Sequence, residues 1–199
     1  MEIQETETNI QKIVVFSASF GGINALIRVL SDLKSQDNYS VVIVQHLKQT
    51  LEQTKLHMVL NRHSKIRVHL AQNDQLLEPG MAYVAQPGYH LVIKNHKLFL
   101  ENGNPVNHVK PASDVLFISA ANAYQENVIG VVLTGTGKDG TKGCLMIKQK
   151  GGTTIAQDKE TSEFFAMPEN AIKTKSIDYI LPLDKIGEKI LALINRTVD

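Results

Sequence analysis

The sequence contains a single cysteine and no tryptophan. Cys144 alone cannot close an internal disulfide, so a reducing cytoplasm is the expected compartment. Its setting beside Leu145 and Met146 in a helical pattern predicts a buried small residue, not a reactive thiol. Charge of one sign is also lacking. A net charge of +1 over 199 residues gives no electrostatic case for nucleic acid or an anionic membrane as the main partner. Long hydrophobic runs are missing as well. The longest, such as Val128 to Leu133, are strand-length, so the chain is not expected to be membrane-embedded. Met1 to Asn9 is acidic and polar, unlike a secretory signal peptide. Metal-ligand spacing is absent too. His57 and His63 do not share a helical face, His69 and His90 lie on or beside strands, and His96 sits in a turn. These five read as surface or packing residues, with no metal site expected.

What is present is the balance of a globular protein, 43% hydrophobic and 21% charged, with strands and helices alternating along almost the whole chain. Strands are expected near 12–17, 41–44, 66–70, 81–85, 128–133, 153–157 and 179–181. Helices are expected near 22–34, 51–63, 113–125 and 140–150, from about Met167-Pro168-Glu169, and from Asp184. Pro168 reads as a first helical position. Leu91-Val92-Ile93 and Leu98-Phe99-Leu100 around Asn95-His96 predict an antiparallel hairpin at a sheet edge. The fold class expected is α/β: a three-layer, doubly wound, mostly parallel sheet with an antiparallel edge hairpin. Residues 1–11 read as a flexible tail and 12–199 as a single domain.

The organising stretch is Ser17-Ala18-Ser19-Phe20-Gly21-Gly22, between the apolar run Ile13-Val14-Val15-Phe16 and a helical pattern. This strand–turn–helix corner either is tight for steric reasons or presents a serine and backbone N–H groups to a substrate. Ser19, His46 and Asp139 each follow an expected strand, so all three belong to the carboxyl edge of the sheet. A serine hydroxyl needs an imidazole to take its proton, and the imidazole needs a carboxylate to fix its tautomer. The order Ser, His, Asp differs from familiar hydrolase orders, and the Gly-x-Ser-x-Gly elbow is absent. A competing reading is Gly135-x-Gly137-x-x-Gly140 after a strand, with Asp158 about 20 residues on, which has the layout of a dinucleotide fingerprint. Against it, Asp139 would put a carboxylate where the phosphates belong. Lys138 is not followed by Ser or Thr, which removes a Walker loop.

Taken together, six segments resemble the catalytic domain of the chemotaxis protein-glutamate methylesterases (CheB-type). They are Ser17-Ala18-Ser19-Phe20-Gly21-Gly22, Val44-Gln45-His46, Glu78 to Ala85, Pro111-x-x-Asp114-Val115-Leu116-Phe117, Val131 to Gly140, and Phe165-Ala166-Met167-Pro168. The resemblance runs from about residue 12 to 195. It implies a serine esterase that demethylates glutamate γ-methyl esters on the cytoplasmic helices of chemoreceptors and also deamidates glutamine. It also implies Ser19 as nucleophile, His46 as base, Asp139 as orienting carboxylate, and no cofactor. Phe20, Gly21, Gly22, Thr136, His108 and Met167 become oxyanion or substrate-site candidates.

Phe20 replaces a usually small residue and is expected to narrow the site. Thr136 stands where Met is frequent, and Val109-Lys110 where a His-Arg pattern is common. About ten residues precede the first strand, leaving no room for the receiver domain of the best-known members, so the expectation is either a constitutively open site or control by a separate regulatory partner. A catalytically silent adapter of the same fold is the alternative, and a dinucleotide-binding domain a third.

Overall fold

The computed structural model describes residues 10–36, 38–47 and 55–196. The first half of the chain forms β1 (Lys12–Ala18), α1 (Gly22–Asp32), β2 (Tyr39–Gln45), α2 (Leu56–His63), β3 (Arg67–Leu70), β4 (Gln75–Leu76), β5 (Met81–Val84), β6 (His90–Lys94) and β7 (Lys97–Glu101). The second half forms α3 (Ser113–Tyr124), β8 (Val128–Val132), α4 (Thr141–Gln149), β9 (Thr153–Gln157), α5 (Ala166–Lys173), β10 (Tyr179–Leu181) and α6 (Leu183–Ile194).

Seven strands make a parallel sheet in the order β10-β9-β8-β1-β2-β5-β3. β2 and β8 are buried along their whole length, as continuous apolar runs covered on both faces should be. The period of two assigns their side chains to layers. On β1, Val14, Phe16 and Ala18 join the core under α1, α2 and α6, with Leu26, Leu30, Leu60, Ile186 and Ile190. Ile13 and Val15 face the other way, into the core under α3, α4 and α5, with Phe117, Ile147 and Met167. Each fully buried side chain of this size contributes about 1.5–3 kcal/mol relative to exposure. Strand order reverses around β1, so the ends of β8, β1 and β2 stand side by side.

Two details differ from the sequence reading, and two others fall partly outside the described residues. The 89–100 hairpin forms, but it does not extend the large sheet. With β4 it makes a separate three-stranded sheet, β4-β7-β6, because Leu91, Ile93 and Leu98 bury against the α3 side. The Ser119 hydroxyl accepts the Ile93 N–H at 3.0 Å and fastens β6 to α3. Pro168 is the third residue of α5, where the missing N–H is still one that has no intrahelical acceptor. The expected helix 51–63 is described from Lys55 onward, residues 51–54 lying outside the described residues. Of the expected tail, residues 1–9 also lie outside them, while Ile10 is buried and the Gln11 N–H reaches Asn38 O at 2.9 Å.

Phe117 locks the layer that carries the site. It is fully buried, and a Cβ at Gly143 would come within 2.3 Å of its own Cβ, so α3 and α4 cross there in direct backbone contact. Phe117→Ala is expected to cost about 3–5 kcal/mol of unfolding free energy, read as a lower midpoint in guanidinium denaturation. An unchanged midpoint would contradict this packing.

Candidate active site

Ser19 leaves the end of β1 with its N–H still paired across to Thr134 O at 3.1 Å, as if the β1–β8 ladder continued. Its carbonyl is held twice, by the Gly22 N–H at 2.9 Å and by Gln45 Nε2 at 2.7 Å. Gly21 turns the chain with φ 73°, the left-handed region in which a side chain is strained. Gly135 is required for a different reason: a Cβ there would lie 2.7 Å from Ser19 Cβ. The candidate nucleophile is therefore fixed by contacts from the ends of β1, β2 and β8, the one from β2 through the Gln45 side chain.

His46 follows β2, with its own N–H on Ala18 O at 2.9 Å. Its Nε2 meets Asp139 Oδ2 at 2.8 Å, with both side chains nearly buried. An ionised Asp139 can only accept, so Nε2 carries the proton and Nδ1 is left as the basic nitrogen. Ser19 and His46 line one cleft, although among the described residues Ser19 Oγ makes no hydrogen bond to the ring. Such looseness is common in unliganded sites. A smaller adjoining pocket shares His46 and is lined by Leu56, Pro87 and the 108–111 segment, without Ser19.

Asp139 is satisfied from four directions. Besides His46, it accepts the backbone N–H groups of Ser113 and Asp114, the latter at 3.1 Å, and Asn107 Nδ2 at 3.0 Å. Burial alone would push its carboxyl up. The His46 hydrogen bond and charge, the Ser113 N–H and Asn107 outweigh burial and hold it below the usual carboxylate range. Asn107 reaches further, donating to Asp114 Oδ2 at 2.7 Å, and Asp114 Oδ1 accepts the Gly143 N–H at 2.8 Å. Burial raises the Asp114 carboxyl, and the nearby Asp139 charge adds to that, against the opposing hydrogen bonds. Asp114 in turn, after burial, helps to push the Cys144 thiol up, away from thiolate formation.

Sequence reasoning missed Asn107, and it took Asp114 only as part of a segment. A signal existed for Asp114, an acid in the first turn of a helix, but its target is a different helix. The other candidates divide. Phe20, Gly21 and Thr136 line the cleft with Ser19. The N–H groups of Phe20, Gly21 and Thr136 have no acceptor among the described residues. The Gly22 N–H is occupied by Ser19 O, which removes it as an oxyanion donor. Met167 is fully buried and packs beneath Gly135, so it supports the floor of the cleft from below and does not line it. His108 is exposed and lines the adjoining pocket. Phe20 does not plug the site: with 53% of its surface exposed, its ring stands on the rim against Phe164. The 135–140 loop is a poor phosphate cradle, because Asp139 lies within it and the start of α4 is already bound by Asp114.

Because Asp139 titrates lower in the folded protein than in the unfolded chain, its contribution to stability is present above the unfolded carboxylate value. It is lost as pH falls through the folded value. Asp139→Asn is therefore expected to flatten the acid limb of a plot of urea midpoint against pH. Superimposable acid limbs for the two proteins would refute this.

Comparison with known proteins finds similarity along most of the chain. The family model described as CheB methylesterase matches residues 14–190. A relative in Leptospira interrogans is 39% identical over 187 residues, covering 94% of this chain and 96% of that protein. The protein-glutamate methylesterase/protein-glutamine glutaminase of Thermotoga maritima is 39% identical over 92% of this chain, which spans 54% of that longer protein. The crystal structure of the Thermotoga maritima CheB methylesterase catalytic domain superposes with a TM-score of 0.87 at 38% identity, covering 92% of this chain and 98% of that one. With a family model over most of its length and relatives this similar, the chain belongs to the CheB methylesterase family.

Proposed function

We propose that this protein is a serine hydrolase that removes methyl groups from glutamate γ-methyl esters on the cytoplasmic helices of chemoreceptors, and that it also deamidates glutamine side chains. The observation that carries the reading is the His46–Asp139 pair, 2.8 Å apart, in the cleft that Ser19 lines. Its relatives named protein-glutamate methylesterase/protein-glutamine glutaminase support the substrate class.

In this mechanism Ser19 Oγ attacks the ester carbonyl and passes its proton to His46 Nδ1. Asp139 stabilises the imidazolium through Nε2. Collapse of the tetrahedral intermediate expels methanol, which takes the proton from His46, and leaves a glutamyl–Ser19 ester. Water, deprotonated by His46, cleaves that ester to glutamate and restores the Ser19 hydroxyl. Glutamine follows the same path with ammonia as the leaving group. The N–H groups of Phe20, Gly21 and Thr136 face the developing oxyanion, where one such donor typically contributes about 100- to 1000-fold in rate.

The adapter reading draws on the missing Ser19–His46 hydrogen bond, and a rate measurement separates it from the enzyme. Ser19→Ala is expected to lower methanol release from methylated receptor by at least about 1000-fold relative to the unsubstituted protein. Equal release by both proteins, or none by either, would defeat the esterase reading. NAD and NADP are expected to leave the melting temperature unchanged.

A further inference from the structure

The catalytic chemistry above leaves a second feature of the cleft unused. Glu163 is, His46 aside, the one ionisable side chain among the described residues that line the cleft, and its carboxylate lies over Gly21. A Cβ at Gly21 would stand 2.6 Å from Glu163 Oε2. Among the described residues Glu163 has no ion-pair or hydrogen-bond partner. Next to it, Phe20 and Phe164 meet with centroids 5.4 Å apart and planes tilted by 57°. Each ring can cover at most one face of the other, and 53% and 40% of the two residues is exposed.

This rim is built and held from the interior. The buried Thr134 hydroxyl donates to Phe20 O at 3.0 Å and accepts the Phe164 N–H at 2.8 Å. The Gly135 N–H donates to Phe164 O at 2.8 Å. Fully buried Gln157 accepts the Thr134 N–H at 2.9 Å and donates to Thr161 O at 2.8 Å, fastening the loop that carries Glu163. A carboxylate without a partner among the described residues, beside open aromatic faces, is the chemistry that attracts a cation.

We propose that Glu163, Phe20 and Phe164 form a subsite for a lysine or arginine side chain of the substrate protein, lying next to the residue that enters the Ser19 cleft. On a helical substrate that cation sits three or four residues from the scissile side chain, on the same face. The identity of the ester rests on the methylesterase reading; the charge preference does not. The cation has two effects. It adds binding, and it neutralises a carboxylate that otherwise repels the oxyanion forming above the Phe20 and Gly21 N–H groups. Both KM and kcat are expected to respond.

The test uses helical peptides bearing one glutamyl γ-methyl ester with Lys, Ala or Glu four residues away. Affinity is read calorimetrically on the Ser19→Ala protein, and turnover on the unsubstituted one. The Lys peptide is expected to bind about three- to tenfold more tightly than the Ala peptide, and the Glu peptide more weakly, with the differences shrinking in high salt. Glu163→Lys is expected to invert the order so that the Glu peptide binds best, a rescue that a merely structural role of Glu163 would not produce. Paired Phe20→Ala and Phe164→Ala changes are expected to reduce the Lys preference. Equal affinity for the three peptides, or an order unchanged by Glu163→Lys, overturns the subsite. Absence of methanol release with the Lys preference intact overturns the esterase reading and leaves the subsite standing.

Discussion

Two carboxylates, Asp139 and Asp114, cap each other's helices, and the candidate site depends on that exchange. Asp139 belongs to the loop that opens α4, yet its oxygens accept the first N–H groups of α3. Asp114 belongs to α3, yet it accepts the Gly143 N–H of α4. Helix starts leave four N–H groups without intrahelical acceptors, and neither helix offers a side-chain cap at its own first residue. Each helix thus stabilises the charge that the other needs. Asn107 sits between them, donating to both carboxylates, and keeps two like charges from facing each other without an intervening donor. The Phe117–Gly143 contact holds the two helices close enough for the exchange.

From that constraint the position of His46 follows. Asp139 cannot swing to another partner without uncovering the start of α3, so its remaining acceptor capacity is aimed at Nε2 of the ring. The sheet then supplies the third component. β1, β2 and β8 are hydrogen-bonded neighbours, and their ends bring residues 19, 46 and 139 to one edge although 93 positions separate the latter two. Neither component uses an exceptional side chain. Parallel strand pairing and helix capping, both general, fix the geometry.

Much of this was legible in the sequence. Buried parallel strands show as unbroken apolar runs, so β1, β2 and β8 and the residues at their ends could be located directly, and the ordered motifs identified the family. What stayed hidden was set by contacts remote in sequence. Nothing local shows that Asn107 bridges two carboxylates or that Asp114 caps a helix other than its own. Periodicity marked 89–100 as a hairpin but could not say which sheet it joins, because that depends on the α3 surface on which Leu91 and Ile93 settle. Gly22 and Met167 illustrate a further limit. Residue type suggested a role in the cleft, whereas only the hydrogen bond to Ser19 O and the packing under Gly135 reveal that both are engaged elsewhere.

In the proposed mechanism, the helix starts concentrate anion stabilisation beside Ser19. The helices that begin at the site edge include α1, α3 and α4, each with the positive end of its dipole directed there. Asp139 and Asp114 bind the N–H groups of two of them directly and largely cancel their fields. α1 differs: no side chain caps it, its first turn holds no acid, and the Phe20 and Gly21 N–H groups before it lack acceptors among the described residues. The Glu163 carboxylate lies near this end without bonding to it, so it is drawn by the same field that an oxyanion would use. Charge brought in by a substrate therefore acts at a sensitive place. Neutralising Glu163 restores the field of α1 to the reacting carbonyl, which couples recognition of the substrate's surface to the chemistry at Ser19.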